Sequence, residues 1–454
     1  MPHVGHLPAG RSAGPRRASR VRPRDPPQCA PEGRRSHGEH GLIVLHISTR
    51  LIVGGSQENT ILSCEGQSRL GHAVHLAFGP QFGPEGSMID RIDRFNSRTD
   101  HPIRTHHLAH LVREVAPLTD RRALGELADL IRRIEPDIVH THSSKAGILG
   151  RIAASRIARK RPPERPLGIV HTIHGPPFMP IVGSPAARLR TRLENTLYTL
   201  AERYAAGHCH ALVSVADAMT EQFLARRIGH AAQYTTVRSG MEIAPYFAPL
   251  ARTERVTLRQ SLSIPTDATV LITVARLAPH KGHDDILDAI ADDLRADARL
   301  HLLWVGDGAW RRRLEERLDS LGIRERVTLT GLVQPDAVPG FVRASDILIH
   351  PSSREGLPRT VVQGMLAGLG VIAYDADGTR EVCIDGETGR LVPVGDVGAL
   401  REAIRWMAAD DDRRTRLGTA ARERWREAFT SEKMVAELET VYARALEASR
   451  RSRS

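Results

Sequence analysis

One short run, Ser352 to Gly368, brings together residue types that could hold an anion and a hydroxylated group side by side. It reads as the end of a buried strand (Ile347 to His350), a turn, and a helix with Pro358 in its first turn, where a missing N–H costs nothing. Glu355 then lies just before a helix N-terminus. There the N–H groups of Gly356 and Leu357 are free, and the helix dipole favours negative charge. Such a loop can take a diphosphate while Glu355 presents acceptors to neutral hydroxyls; the same residues would also suit a carboxylate capping its own helix. A second run, Val274 to Gly282, places Arg276 and Lys281 on one loop after a strand. Two cations there answer the charge of a diphosphate, although an ordinary solvated basic loop looks the same. A third, Gly54-Gly55 between a strand and a helix, is the order that lets backbone approach a phosphate, or simply a tight turn.

Histidines offer a further possibility. His174 ends an apolar strand before Gly175, a place where a hydrogen-bonded core histidine is as common as a functional one. His140 and His142 share one face of their strand at i, i+2 spacing. With no Cys or carboxylate at ligand spacing, they read as lining of a cleft and not as metal ligands. The segment Asp375-Ala376-Asp377 falls outside the place expected of a metal-binding Asp-x-Asp, so no metal and no cofactor are expected.

These residues are carried by alternating strands and helices. Leu42 to Ile47 is a continuous apolar run of buried parallel-strand type. It is followed by a helix over 56–69, a strand over 73–78, a Gly- and Pro-rich loop through Gly86, a helix over 121–134 and a strand over 137–142. A helix from about Ser144, a strand over 169–175, a long helix over 186–206, a strand over 211–215, a helix over 216–227 and a strand over 234–237 complete a first doubly wound unit. The stretch 241–256 holds two prolines and no clear period, and reads as a linker. The pattern then restarts, with strands over 269–274, 300–305, 327–330 and 347–350 and helices between them. Helices over 397–407, 412–429 and 431–448 end the chain. The fold class is therefore α/β, with two Rossmann-like halves and a site between them.

Composition excludes several classes. The chain of 454 residues carries a formal charge of +11, but residues 1–40 hold eight Arg against three acids, and Arg450, Arg451 and Arg453 add three more. Only about +3 is left for the body, and the tails lack interleaved aromatics, so nucleic-acid binding is not expected. Residues 1–40 are too polar and Pro-rich to bury a core and read as a disordered basic tail. Cys29, Cys64, Cys209 and Cys383 have no metal or redox spacing and suit a reduced, cytoplasmic setting, with Cys64 and Cys209 as inert core thiols. No apolar run approaches the ~18 residues of a membrane span. Contact with a membrane, at its inner face, would be peripheral.

The Glu355 run, together with Val371 to Tyr374, Gly378 to Val382 and Asp385 to Val392, resembles the donor site of family-4, group 1 glycosyltransferases, which are retaining enzymes of GT-B architecture. The resemblance spans roughly 42–430 and is strongest after Val274. It implies that Arg276, Lys281, Gly356, Leu357, Pro358 and the Gly54-Gly55 turn meet the diphosphate of a nucleotide sugar. It also implies that Glu355 bonds hydroxyls of the transferred sugar, and that His174 lies near it. Gln363 stands where the family has a Glu on the ribose; one acceptor oxygen replaces two, a loss of about 1–2 kcal/mol. On this footing 41–240 is the acceptor-side domain, 241–256 the linker, 257–430 the nucleotide-sugar domain, and 431–454 a helix crossing back to the first domain, with a basic tail. The implied activity is hexosyl transfer from a UDP- or GDP-sugar to a saccharide or lipid-linked acceptor in surface glycan assembly. A sugar-nucleotide epimerase or hydrolase, and a catalytically decayed partner of a glycan assembly complex, are the alternatives.

Overall fold

In the computed structural model, residues 41–80, 86–181, 183–248 and 250–451 are described. The apolar runs of the first half form strands β1 (Ile43–Ser48), β2 (Ala73–Phe78), β3 (Arg104–His107), β4 (Ile138–His142), β5 (Gly168–Ile173), β6 (Ala211–Ser214) and β7 (Tyr234–Thr236). They build one sheet in the order β3-β2-β1-β4-β5-β6-β7, every pair parallel. The second half gives β8 (Thr269–Val274), β9 (Leu300–Val305), β10 (Val327–Leu329), β11 (Ile347–His350), β12 (Gly370–Tyr374) and β13 (Arg390–Val392). Its order is β10-β9-β8-β11-β12-β13, again all parallel. Strand order reverses between β1 and β4 and between β8 and β11. At such switch points the strand carboxyl ends open a crevice for ligands.

Helices cover both sheets because the strands are apolar on both faces. The Ser431–Arg451 helix lies against the first sheet, although it leaves from the second lobe. Met434, Val435, Leu438, Val441, Tyr442 and Ala445 pack there on Val44, Ile138, Val170 and Val213. At about 1.5–3 kcal/mol for each large side chain, this burial is worth on the order of 10 kcal/mol, an upper value. Arg450 and Arg451 belong to this helix. The basic segment 1–40, with Cys29, lies outside the described residues, as does Arg453.

Two features differ from the sequence reading. The stretch 241–256 is not structureless: Ala244–Phe247 is a helical turn, and the Arg252–Ser261 helix starts inside it. That helix buries only Arg259, so it shows no apolar period. The helix Ile89–Asn96 and the strand β3 were not anticipated. β3 is an edge strand of sequence RTHH, mostly exposed, and carries no hydrophobic pattern.

Candidate active site

Both switch points carry candidate residues. β8 hands over to the loop bearing Arg276 and Lys281, and β11 to the Glu355 loop; the two strands are hydrogen-bonded neighbours, so the loops emerge side by side. Ser353 N and Ser352 Oγ donate to the His280 carbonyl at 2.9 and 3.1 Å. Gly282 makes the fit possible. It sits at φ +70, and a Cβ there would lie 2.1 Å from the Pro351 carbonyl oxygen, so only glycine is accommodated.

Lys281 Nζ thereby reaches Glu355 Oε1 at 2.5 Å, and His350 Nε2 donates to the same oxygen at 3.0 Å. Thr360 Oγ1 lies 3.1 Å from His350 Nδ1, on the other side of that ring. Glu355 Oε2 has no partner among the described residues. Burial of this carboxyl would raise its pKa, but Lys281 and His350 outweigh burial and hold it well below the usual carboxylate range. The charges of Lys281, Arg276 and Arg354 bear on His280, whose pKa is pushed down to about 4, by burial first and by these cations next. Arg276, Lys281 and Glu355 therefore share one electrostatic neighbourhood. Beside it, the amides of Gly356 and Leu357 are unpaired among the described residues.

The first lobe supplies the opposing wall. A Cβ on Gly356 would lie 2.1 Å from the His174 carbonyl oxygen, so the Glu355 loop touches the end of β5 through bare backbone. Gly55 leaves room for Arg359, whose Cδ would be 2.8 Å from a Cβ at that position. Arg359 ties the lobes together: it pairs with Glu58 at 3.0 Å and donates to the Gly240 carbonyl at 2.6 Å. Asp377 accepts from Glu355 N at 2.8 Å and from Gln222 Nε2 of the first lobe at 2.6 Å. Glu381 takes the free amides of Asp217 and Ala218, at 3.0 and 2.9 Å, at the start of the Asp217–Ala225 helix. A cavity of about 450 Å³ opens between the lobes, lined by Glu58, Tyr246, Gln334, Pro335 and Gln363 among others. Gln363 faces that cavity, whereas Glu355, Lys281 and His174 do not line it. Arg359 connects the two places, through Glu58 on one side and through its charge on His174 on the other.

Behind His174 runs a buried hydrogen-bond chain. Gln67 Nε2 donates to Tyr442 Oη at 2.9 Å, and its Oε1 lies 2.7 Å from His46 Nε2. His46 Nδ1 is 2.9 Å from His142 Nε2, and His142 Nδ1 is 3.0 Å from His174 Nε2. With the Gln67 oxygen on His46, each ring in turn must donate from Nε2 and accept at Nδ1. His174 therefore ends the chain as the Nε2–H tautomer, its Nδ1 without a partner among the described residues. Burial keeps these rings neutral: it lowers His46 to about 4 and His174 to about 3, and His140 and His142 well below the ordinary histidine value.

Comparison with known proteins identifies the family and the fold. The family model for glycosyl transferases group 1 matches residues 254–424, and that for a glycosyl transferase 4-like domain matches 54–240. The 2-deoxystreptamine N-acetyl-D-glucosaminyltransferase of Streptomyces fradiae is 30% identical over 307 residues, which is 66% of this chain and 69% of that protein. The chain belongs to the group 1 glycosyl transferases. The UDP-Gal:α-D-GlcNAc-diphosphoundecaprenol α-1,3-galactosyltransferase of Escherichia coli is 26% identical over 310 residues, 67% of this chain and 75% of that enzyme. The structure of Anabaena HepE with UDP and glucose shares the fold, with a TM-score of 0.71 at 20% identity over 88% of this chain and 99% of that one. The architecture is GT-B.

In this glycosyltransferase two histidines are not where the sequence reading put them. His140 and His142 do not line the cleft; both are fully buried, because Tyr442 and Thr172 close over His140, at 2.7 Å each, and His46 and His174 flank His142. His46, His140 and His142 also bring ligand atoms within 4.8 Å of one another, the spacing of a metal site. All six ring nitrogens are already hydrogen-bonded, so the rings serve each other. Asp377, set aside on sequence, stands beside Glu355. Arg359 was missed although it follows Pro358 directly; its signal was a lone cation in a helix that is otherwise uncharged and mostly buried. The thiols of Cys64, Cys209 and Cys383 are buried, which raises their pKa values, to about 11 for Cys209 and about 12 for Cys383. Among the described residues no helix is long and apolar enough to cross a membrane.

Proposed function

We propose that this enzyme transfers a hexose from a UDP- or GDP-sugar to a lipid-linked saccharide, with retention of configuration, in the assembly of a surface glycan. The observation that carries the reading is the Lys281–Glu355 contact beside the free Gly356 and Leu357 amides. Lys281 is held where a departing diphosphate would need a cation, and Arg276 adds a second. Oε2 of Glu355 remains to accept from a sugar hydroxyl, and it stays charged because Lys281 and His350 hold its pKa down. His174 faces the same loop from the other lobe and offers Nδ1. Gln363 meets the ribose. The acceptor hydroxyl enters on the face from which the nucleotide leaves and passes its proton to the departing phosphate, so that no side-chain nucleophile is required. These two cations supply the charge a divalent ion would bring, and turnover needs no metal.

The lipid-linked acceptor is supported by the Escherichia coli relative, whose named acceptor is a diphosphoundecaprenol-linked sugar. Of the cavity's carboxylates, Glu58 and Glu65 are bound to Arg359 and Arg91 at 3.0 and 2.8 Å, which takes these two from the acid–base role an epimerase or hydrolase would need. The test is nucleotide release from a panel of UDP- and GDP-sugars, with and without a polyprenyl-diphosphate-linked saccharide and with EDTA present. Acceptor-dependent release that survives EDTA and disappears in Glu355→Ala is expected. Equal release without acceptor, or loss of turnover in EDTA, contradicts the reading.

A further inference from the structure

The Pro185–Ala206 helix stands almost clear of the body. Of its 22 residues only Glu202, Ala205 and Ala206 are buried. Leu189, Leu193, Leu197, Leu200 and Tyr204 are each 54 to 66% exposed. At about 100° per residue these five fall within an arc of about 80°, roughly opposite the three buried residues. The sequence thus builds a helix whose continuous apolar stripe points away from its own core. Met179 and Ile181, on the loop leading into it, are also exposed. A contiguous patch of this kind marks a docking surface.

Charge identifies the occupant. Arg190, Arg192 and Arg203 are exposed along the sides of the stripe, within about 100° of its centre. Glu194 is the one exposed acid of the helix, since Glu202 is taken by buried Arg151 at 2.6 Å. Leucines on one face with arginines flanking them suit a helix lying in the plane of an anionic bilayer, apolar face down and guanidinium groups at the headgroups. A second copy fits poorly. Two-fold pairing of the stripes would set the arginines of both chains along one seam with little acid to offset them.

The helix is also coupled to the cleft. Asn195 holds the Met179 backbone in both directions at 2.8 Å. Arg354, next to Glu355, donates to the Pro176 carbonyl at 3.0 Å and contacts Met179 Sδ at 2.8 Å. Only four residues separate His174 from Met179. We propose that the Leu189–Tyr204 face of this helix is the enzyme's docking surface for an anionic lipid bilayer, and that docking brings the cleft to its acceptor. The second half of this statement rests on the lipid-linked acceptor proposed above.

The experiment uses the full chain and vesicles of phosphatidylcholine alone or mixed with phosphatidylglycerol. Flotation is compared for the wild type, Leu193→Ser/Leu197→Ser/Leu200→Ser, and Arg190→Gln/Arg192→Gln. The wild type is expected to float with the anionic vesicles and to release at high salt. The serine variant should lose more than about tenfold in binding to either vesicle, and the glutamine variant mainly the preference for phosphatidylglycerol. These side chains are exposed, so thermal unfolding should not change. Turnover of a water-soluble acceptor should also be unchanged, while transfer to acceptor embedded in vesicles falls. Wild type that stays unbound, or a serine variant that floats equally well, overturns the docking surface whatever the catalytic result. A wild-type dimer that the serine substitutions convert to monomer overturns it in favour of self-association. Absence of transfer to every acceptor with flotation intact contradicts the proposed reaction and leaves the docking surface standing.

Discussion

Lowering the pH should unfold this protein well before its carboxylates titrate, and the buried histidines set the magnitude. His46, His140, His142 and His171 are each at most 3% exposed. Burial lowers all four, His46 to about 4 and the others well below the ordinary value. Above the unfolded-chain pKa of about 6.5 they are neutral in both states and cost nothing. As pH falls below it, the unfolded chain takes up protons that the folded protein refuses, so stability drops until the folded pKa is reached. At pH 5 His46 alone costs about 2 kcal/mol by this linkage, and His140, His142 and His171 add to it in the same direction. Even one such ring is a sizeable part of the whole stability of an ordinary protein, about 5–15 kcal/mol. The assay is the urea midpoint, followed by circular dichroism, between pH 7.5 and 5. A steep fall starting near pH 6.5 is expected. His46→Asn should be weaker at neutral pH, yet its slope with pH should be shallower by about 1.4 kcal/mol per unit. A wild-type midpoint that is flat to pH 5.5, or an unchanged slope in the variant, would refute the reasoning.

Three substitutions bear on the site itself. Lys281→Met leaves Glu355 buried against His350 alone; kcat/KM is expected to fall by about 10²–10³-fold, and stability by about 3–5 kcal/mol, as read by steady-state kinetics and thermal unfolding. Gly356→Ala places a methyl group 2.1 Å from the His174 carbonyl oxygen, so the lobes must separate and turnover should be lost while each lobe stays folded by circular dichroism. Gln363→Glu restores a second acceptor oxygen and should lower the donor KM by about tenfold, corresponding to about 1–2 kcal/mol; an unchanged or higher KM counts against the role given to Gln363.

Much of the architecture was legible because parallel strands buried on both faces leave largely apolar runs, as β1, β8 and β11 do. β3 was not, since an edge strand of arginine and histidines is held by hydrogen bonds and ring contacts to β2 and carries no apolar pattern. The Arg252–Ser261 helix hid for a similar reason: its one buried residue is an arginine, held by Asp346 at 2.8 Å and by backbone carbonyls. In the site, Glu355, Lys281 and Gly356 were singled out by the resemblance to a family's donor loop; local spacing alone suited a helix cap or a solvated basic loop as well. Arg359 and Asp377 were not singled out, because they act on residues far away in sequence, Glu58 and Gln222. The histidine chain was half visible. His140 and His142 were evident as a pair, but their burial follows from His46, Thr172 and Tyr442, which reach them from three separate elements.

The central claim is a division of labour, with Lys281 serving the diphosphate and Glu355 the sugar. Calorimetric titration of the nucleoside diphosphate and of its sugar derivative into wild type, Lys281→Met and Glu355→Gln measures this directly. Lys281→Met should weaken both ligands alike, while Glu355→Gln should remove only the extra affinity contributed by the sugar. Equal losses for both ligands in Glu355→Gln, or undiminished diphosphate binding in Lys281→Met, would contradict the account.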